Sequence, residues 1–88
     1  MNEITMYSSA HCPFCKQAEA LLSRKGVKTI SKISIDGNEV ERAVMINRTQ
    51  RRTVPQIFIG DAYVGGFDDL AKLDRAGGLE PLLLEGTT

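Results

Sequence analysis

Hydrophobic and polar positions divide this chain into short segments that switch between a strand-like and a helix-like period. Ile4-Thr5-Met6-Tyr7 is a β-like run that ends at Ser8-Ser9-Ala10-His11, and Pro13 then appears where the first turn of a helix tolerates it best. From Pro13 to Lys25, apolar Phe14, Ala18, Leu21 and Leu22 recur on one helical face, and Gly26 supplies a left-handed stop. Between Val27 and Ile35, Ile30, Ile33 and Ile35 alternate irregularly with polar residues. That pattern predicts a strand with one buried face in the second half of the segment, before a turn at Asp36-Gly37.

Asn38 and Glu41 have the spacing of a capping box, and Val40, Ala43, Val44 and Ile46 supply the apolar positions of a helix running to about Arg48. Gln56-Ile57-Phe58-Ile59, Gly60-Asp61 and Ala62-Tyr63-Val64 together read as a hairpin, because both turn residues tolerate positive φ. Gly65-Gly66 ends it. Leu70 and Leu73 stripe a helix from Asp68 to Ala76, and Gly77-Gly78 separates this helix from a terminal turn over Pro81-Leu82-Leu83-Leu84. No repeat or low-complexity stretch interrupts the βαβαββα order.

The chain has 88 residues, so a single domain over 1–88 with a modest core is expected. Eleven basic and eleven acidic residues cancel, which leaves no global charge to draw nucleic acid or an anionic membrane. Met1-Asn2-Glu3-Ile4 lacks the basic and apolar regions of a secretory signal, and no stretch approaches membrane-spanning length. A cytoplasmic, monomeric protein is expected. In a reducing compartment, a pair of cysteines three apart points to catalysis or metal binding rather than to a structural crosslink.

Cys12 and Cys15 are the only cysteines, and they sit at the start of the first helix. A disulfide three residues apart closes so small a loop that it removes little entropy from the unfolded chain, so the pair is placed for chemistry. Cys12 faces the positive end of the helix dipole and unpaired backbone N–H groups, which favour thiolate over thiol. It is expected at an exposed loop end as the nucleophile, with Cys15 one turn inside, more shielded, as the resolving thiol. A zinc site is disfavoured, since only the adjacent His11 supplements two cysteines where four ligands are needed.

Cys12-Pro13-Phe14-Cys15, Thr53-Val54-Pro55 running into Gln56-Ile57-Phe58-Ile59, and Gly65-Gly66-Phe67-Asp68-Asp69 fall in the order and at the spacing of small bacterial dithiol glutaredoxins. The chain resembles that family over essentially its whole length. The resemblance implies a thioredoxin-like α/β fold, a four-stranded mixed sheet flanked by helices. It also implies glutathione as reductant, no tightly bound cofactor or metal, and disulfide-bearing or glutathionylated proteins as substrates, ribonucleotide reductase among them.

By the same resemblance the Val54-Pro55 bond is cis, and the Val54 backbone pairs with an extended cysteinyl substrate beside Cys12. A trans proline opening an edge strand is the commoner state of such bonds in general. The glutathione-binding set is Phe14, Arg51, Thr53, Val54, Pro55, Gly66, Phe67, Asp68 and Asp69. Asp68 has two readings, as a holder of the γ-glutamyl ammonium and as the cap of the following helix. Arg51, with Arg48 and Arg52 as neighbours, is placed to attract the glycyl carboxylate; a solvated role is open for each. Two departures stand out: Ser9 replaces the lysine common three residues before the nucleophile, and Phe14 replaces the tyrosine common between the cysteines. His11 is a candidate modulator of Cys12. The competing readings are an electron donor recharged by thioredoxin reductase and an iron-sulfur carrier joining two chains.

Overall fold

The computed structural model describes residues 2–84. Strand β1 (Ile4–Ser8) leads through a loop to helix α1 (Pro13–Arg24), then to β2 (Ser31–Ser34), helix α2 (Glu39–Thr49), the hairpin β3 (Gln56–Ile59) and β4 (Ala62–Gly65), and helices α3 (Phe67–Arg75) and α4 (Leu79–Leu84). The strands form one sheet in the order β2-β1-β3-β4, with β1 parallel to β2 and the other pairs antiparallel. This is the expected thioredoxin-like arrangement. No helix among the described residues is long and apolar enough to cross a membrane.

The two-residue period of the central strands sorts their side chains onto two faces. Ile4, Met6, Ile57 and Ile59 point to one face and pack with Ala18, Leu21 and Leu22 of α1, Leu70 of α3, and Leu79 and Leu83 of α4. Tyr7 and Phe58 belong to the second cluster, with Ile35 and with Met45 of α2. Helices therefore cover both faces. β2 is an edge strand, which explains why its isoleucines alternate irregularly: only Ile33 within it is partly covered, and Ile35 is buried just beyond its end.

Two helices depart from expectation. Val40, Ala43 and Val44 do not make the buried face of α2. Val40 is 74% exposed, while Met45 and Thr49 are the buried positions. The reason is visible in Arg48, whose guanidinium carbon lies 4.0 Å from the centre of the Phe58 ring and whose Nη1 donates to the Tyr7 hydroxyl at 3.0 Å. A charged side chain of this helix thus covers aromatic surface of the sheet. Asn38 does accept the Glu41 N–H, at 3.1 Å. The terminal turn is a helix beginning at Leu79, because Leu79 and Leu83, four apart, are both buried. Its last carbonyls are taken by Asn2, through Asn2 N–H to Leu83 at 2.7 Å and Asn2 Nδ2 to Leu82 at 2.9 Å.

Candidate active site

Cys12 is the N-cap of α1, with extended backbone, and Pro13 occupies the first helical position. The Cys15 N–H donates to Cys12 Sγ at 3.1 Å, and no acidic residue lies in the first turn of the helix. The sulfur therefore takes the place that a serine or aspartate oxygen fills in an ordinary cap, where negative charge is favoured. The two sulfurs are joined in a disulfide, with the Cα atoms 5.2 Å apart. Cys12 is less open than the sequence implies, at 7% exposure, because its sulfur lies against the Val54 carbonyl at 3.6 Å. Cys15 is 2% exposed, so the order of shielding is as expected.

The Val54-Pro55 peptide bond is cis. From this loop a groove of about 310 Å³ runs to the N-terminus of α3, lined by every residue of the expected glutathione set and by Gln56. Phe14, 54% exposed, stacks against Phe67 with ring centres 6.3 Å apart, so the missing tyrosine hydroxyl leaves the apolar wall intact. Gln56 is the residue the sequence reading passed over. It is 1% exposed, and its Nε2 donates to the Thr53 carbonyl at 2.9 Å, fixing the loop between Arg52 and Pro55. Its signal was a polar residue opening an otherwise apolar strand.

At the far end of the groove, α3 begins at Phe67 with Gly66 as its N-cap, so Asp68 is not the cap. Asp69 performs that work: its Oδ2 accepts the Gly66 N–H at 3.0 Å and also the Arg51 Nη1 at 2.8 Å. The Arg51 guanidinium, followed by the Gly66 N–H, holds the Asp69 carboxyl below its ordinary value. Arg51 is raised in turn, chiefly by the same bond. Gly65, at φ +119°, has no room for a side chain, since a Cβ there would run into the Asp69 carboxylate. The three arginines have separate places: Arg51 lines the groove, Arg48 lies over Phe58, and Arg52 lines a neighbouring cleft.

That second cleft, about 550 Å³, shares Thr53 and Val54 with the groove and adds Cys12, His11 and Asp36 among its walls. Ser9, standing where a lysine is common, donates its hydroxyl to Asp36 Oδ1 at 2.6 Å, and the Ala10 N–H donates to Asp36 Oδ2 at 2.8 Å. The Ser9 bond and then the Ala10 bond lower the Asp36 carboxyl below its usual value. His11 stands exposed on the rim.

The family model for glutaredoxin matches residues 4–64. The chain belongs to the glutaredoxin family. It is 51% identical over 83 residues to glutaredoxin 3 of Escherichia coli K12, covering 94% of this chain and 99% of that protein. The solution structure of glutaredoxin from Brucella melitensis superposes with a TM-score of 0.85 at 42% identity, over 100% of this chain and 95% of that one. A crystal structure of a buckwheat glutaredoxin-glutathione complex superposes at 0.87 with 30% identity, over 96% of this chain and 78% of that one. This glutaredoxin is a thiol-disulfide oxidoreductase, and Cys12 and Cys15 are joined as its one CxxC pair.

Proposed function

We propose that the protein uses glutathione to reduce protein disulfides and glutathione mixed disulfides, with Cys12 as nucleophile and Cys15 as resolving thiol. The observation that carries this reading is the groove that starts at Val54, 3.6 Å from the Cys12 sulfur, and ends at the Gly66-Asp69 turn. Its two ends match the two ends of a γ-glutamyl-cysteinyl unit. The Val54 backbone offers strand-like pairing to the cysteinyl residue, and Asp68 and Asp69 at the α3 N-terminus face a carbon bearing both ammonium and carboxylate. A buckwheat relative is known as a glutathione complex, which supports the same ligand. Arg51, held by Asp69, is the cation of the groove.

In the reduced protein the Cys12 thiolate attacks the sulfur of a glutathionylated or disulfide-bonded substrate. A new S–S bond to Cys12 forms, the old one breaks, and the released thiolate takes a proton. A mixed disulfide with a protein is resolved by Cys15, giving the Cys12-Cys15 disulfide; a mixed disulfide with glutathione is resolved by a second glutathione. Ribonucleotide reductase belongs to the protein substrates this reading allows, and a reducing, cytoplasmic setting and a monomeric single domain fit it. No tightly bound cofactor is needed.

The test is reduction of a small glutathione mixed disulfide with NADPH, glutathione and glutathione reductase. Cys12→Ser abolishes turnover, whereas Cys15→Ser retains it and loses only reduction of protein disulfides. A folded Cys15→Ser protein without either activity would contradict the division of roles.

A further inference from the structure

Tyr63 of β4 lines neither the glutathione groove nor the cleft that contains Cys12, but a run of hydrogen bonds connects it to the loop before Pro55. It stands opposite Phe58 in the β3-β4 pairing, with ring centres 5.2 Å apart, and Gln56 is two residues from Phe58 on the same face of β3. The length of a tyrosine side chain carries its hydroxyl along that face to Gln56. The hydroxyl donates to Gln56 Oε1 at 2.5 Å, and Gln56 Nε2 donates to the Thr53 carbonyl at 2.9 Å and to Thr53 Oγ1 at 3.3 Å. Gln56 is buried, so both ends of its amide depend on protein partners.

The direction of these bonds is fixed. The Thr53 carbonyl needs a donor, which turns the amide nitrogen of Gln56 toward the loop and its oxygen toward β4. Among the described residues, only the Tyr63 hydroxyl supplies a proton to that oxygen. Without it a buried acceptor is left unpaired, unless Gln56 moves toward water and withdraws from Thr53. We propose that Tyr63 is a positioning residue for the reaction: through Gln56, its hydroxyl holds Thr53 and Val54 in the conformation that receives the cysteinyl part of a glutathione mixed disulfide. The inference rests on the groove being the glutathione site. The Val54 carbonyl lies 3.6 Å from Cys12 Sγ, so a shift at Thr53 is passed to the backbone beside the reacting sulfur.

Tyr63→Phe keeps the ring on Phe58 and removes only the hydroxyl. With a small glutathione mixed disulfide as the varied substrate, its KM is expected to rise about two- to tenfold, the scale of one hydrogen bond between neutral groups. kcat should change by less than about twofold, as for a loss of binding common to ground and transition states. Gln56→Met, which keeps the length of the side chain without its amide, should raise KM to a similar degree. Adding Tyr63→Phe to it should produce no further rise, because the hydroxyl then has nothing to act through. A second readout needs no glutathione: in NMR spectra of the free protein the Gln56 side-chain amide is protected from hydrogen exchange. Tyr63→Phe should remove that protection while the backbone amides of β1 and β3 keep theirs. Equal KM for wild type and Tyr63→Phe overturns the proposal, as do additive effects of the two substitutions or a Gln56 amide that stays protected in Tyr63→Phe. A wild type inactive toward the mixed disulfide overturns the glutathione reading instead, and the exchange measurement then decides by itself whether Tyr63 holds the loop.

Discussion

Arg51 and Asp69 are paired at 2.8 Å inside the groove, through the same carboxylate oxygen that accepts the Gly66 N–H. One acid thus ties the loop before Pro55 to the first turn of α3. Asp69→Asn keeps an acceptor for Gly66 but releases Arg51. With both partners well exposed to solvent, the stability cost at neutral pH stays below about 1 kcal/mol. The larger effect falls on ligand binding, where KM for a glutathione mixed disulfide should rise several-fold with little change in kcat. Steady-state kinetics over a range of mixed-disulfide concentration separates the two.

The same pair sets an acid dependence. The Asp69 carboxyl is depressed in the folded protein, first by Arg51 and then by Gly66. Its contribution to stability is therefore complete above the unfolded carboxyl value, near pH 4, and is lost as pH falls through the lower folded value. Urea midpoints measured from pH 6 down to pH 2 should fall more steeply for the wild type than for Asp69→Asn, and the curves should converge at the acid end.

Asp36 latches the loop that presents Cys12, through the Ser9 hydroxyl and the Ala10 N–H. Its carboxyl is likewise lowered, so the latch holds above pH 4 and opens only on stronger acidification. In a pH titration followed by NMR, the Ala10 amide shift should move with a midpoint below that of an ordinary aspartate. In Asp36→Ala that titration is gone, and Ala10 exchanges its amide hydrogen faster.

Burial on α2 gives a direct contrast. Met45 is fully buried among Tyr7, Ile35 and Phe58, and Met45→Ala should cost about 2–5 kcal/mol. Val40→Ala, at a position 74% exposed, should change stability by no more than about 0.5 kcal/mol. Urea unfolding of the two variants decides whether the helix is seated as described.

Gly65→Ala adds a Cβ at φ +119° and forces it toward the Asp69 carboxylate. Loss of more than about 1 kcal/mol is expected in urea unfolding, because the backbone is unfavourable for alanine and the cap of α3 must shift. A higher KM for the glutathione mixed disulfide should accompany it.

Much of this was legible in the chain. Pro13 after Cys12, Gly26 after the first helix and Gly60-Asp61 in the hairpin each carry a local conformational requirement, and the elements they bound stand where expected. The glutathione set came from motifs rather than from periodicity, and its members do converge on one groove. What failed was the reading of faces that depend on distant partners. Val40 and Val44 have helical spacing, yet Arg48 of the same helix lies over Phe58 of β3, and no local pattern ranks an arginine above a valine for that place. Pro81 to Leu84 reads locally as a turn, whereas the helix starts two residues earlier at Leu79 and its carbonyls are taken by Asn2, from the opposite end of the described chain. Of the arginines near Pro55, the motifs put Arg51 in the glutathione set and left the places of Arg48 and Arg52 open. Folding sends Arg51 to one cleft, Arg52 to the other and Arg48 to the aromatic face.

Val54 is packed against both hydrophobic clusters, one on each side of the sheet, while its carbonyl faces the Cys12 sulfur and its backbone forms the ridge between the two clefts. The backbone proposed to align a substrate is therefore anchored by contacts to both halves of the core. A substitution that loosens Val54 is therefore expected to change resistance to unfolding and the speed of thiol exchange together.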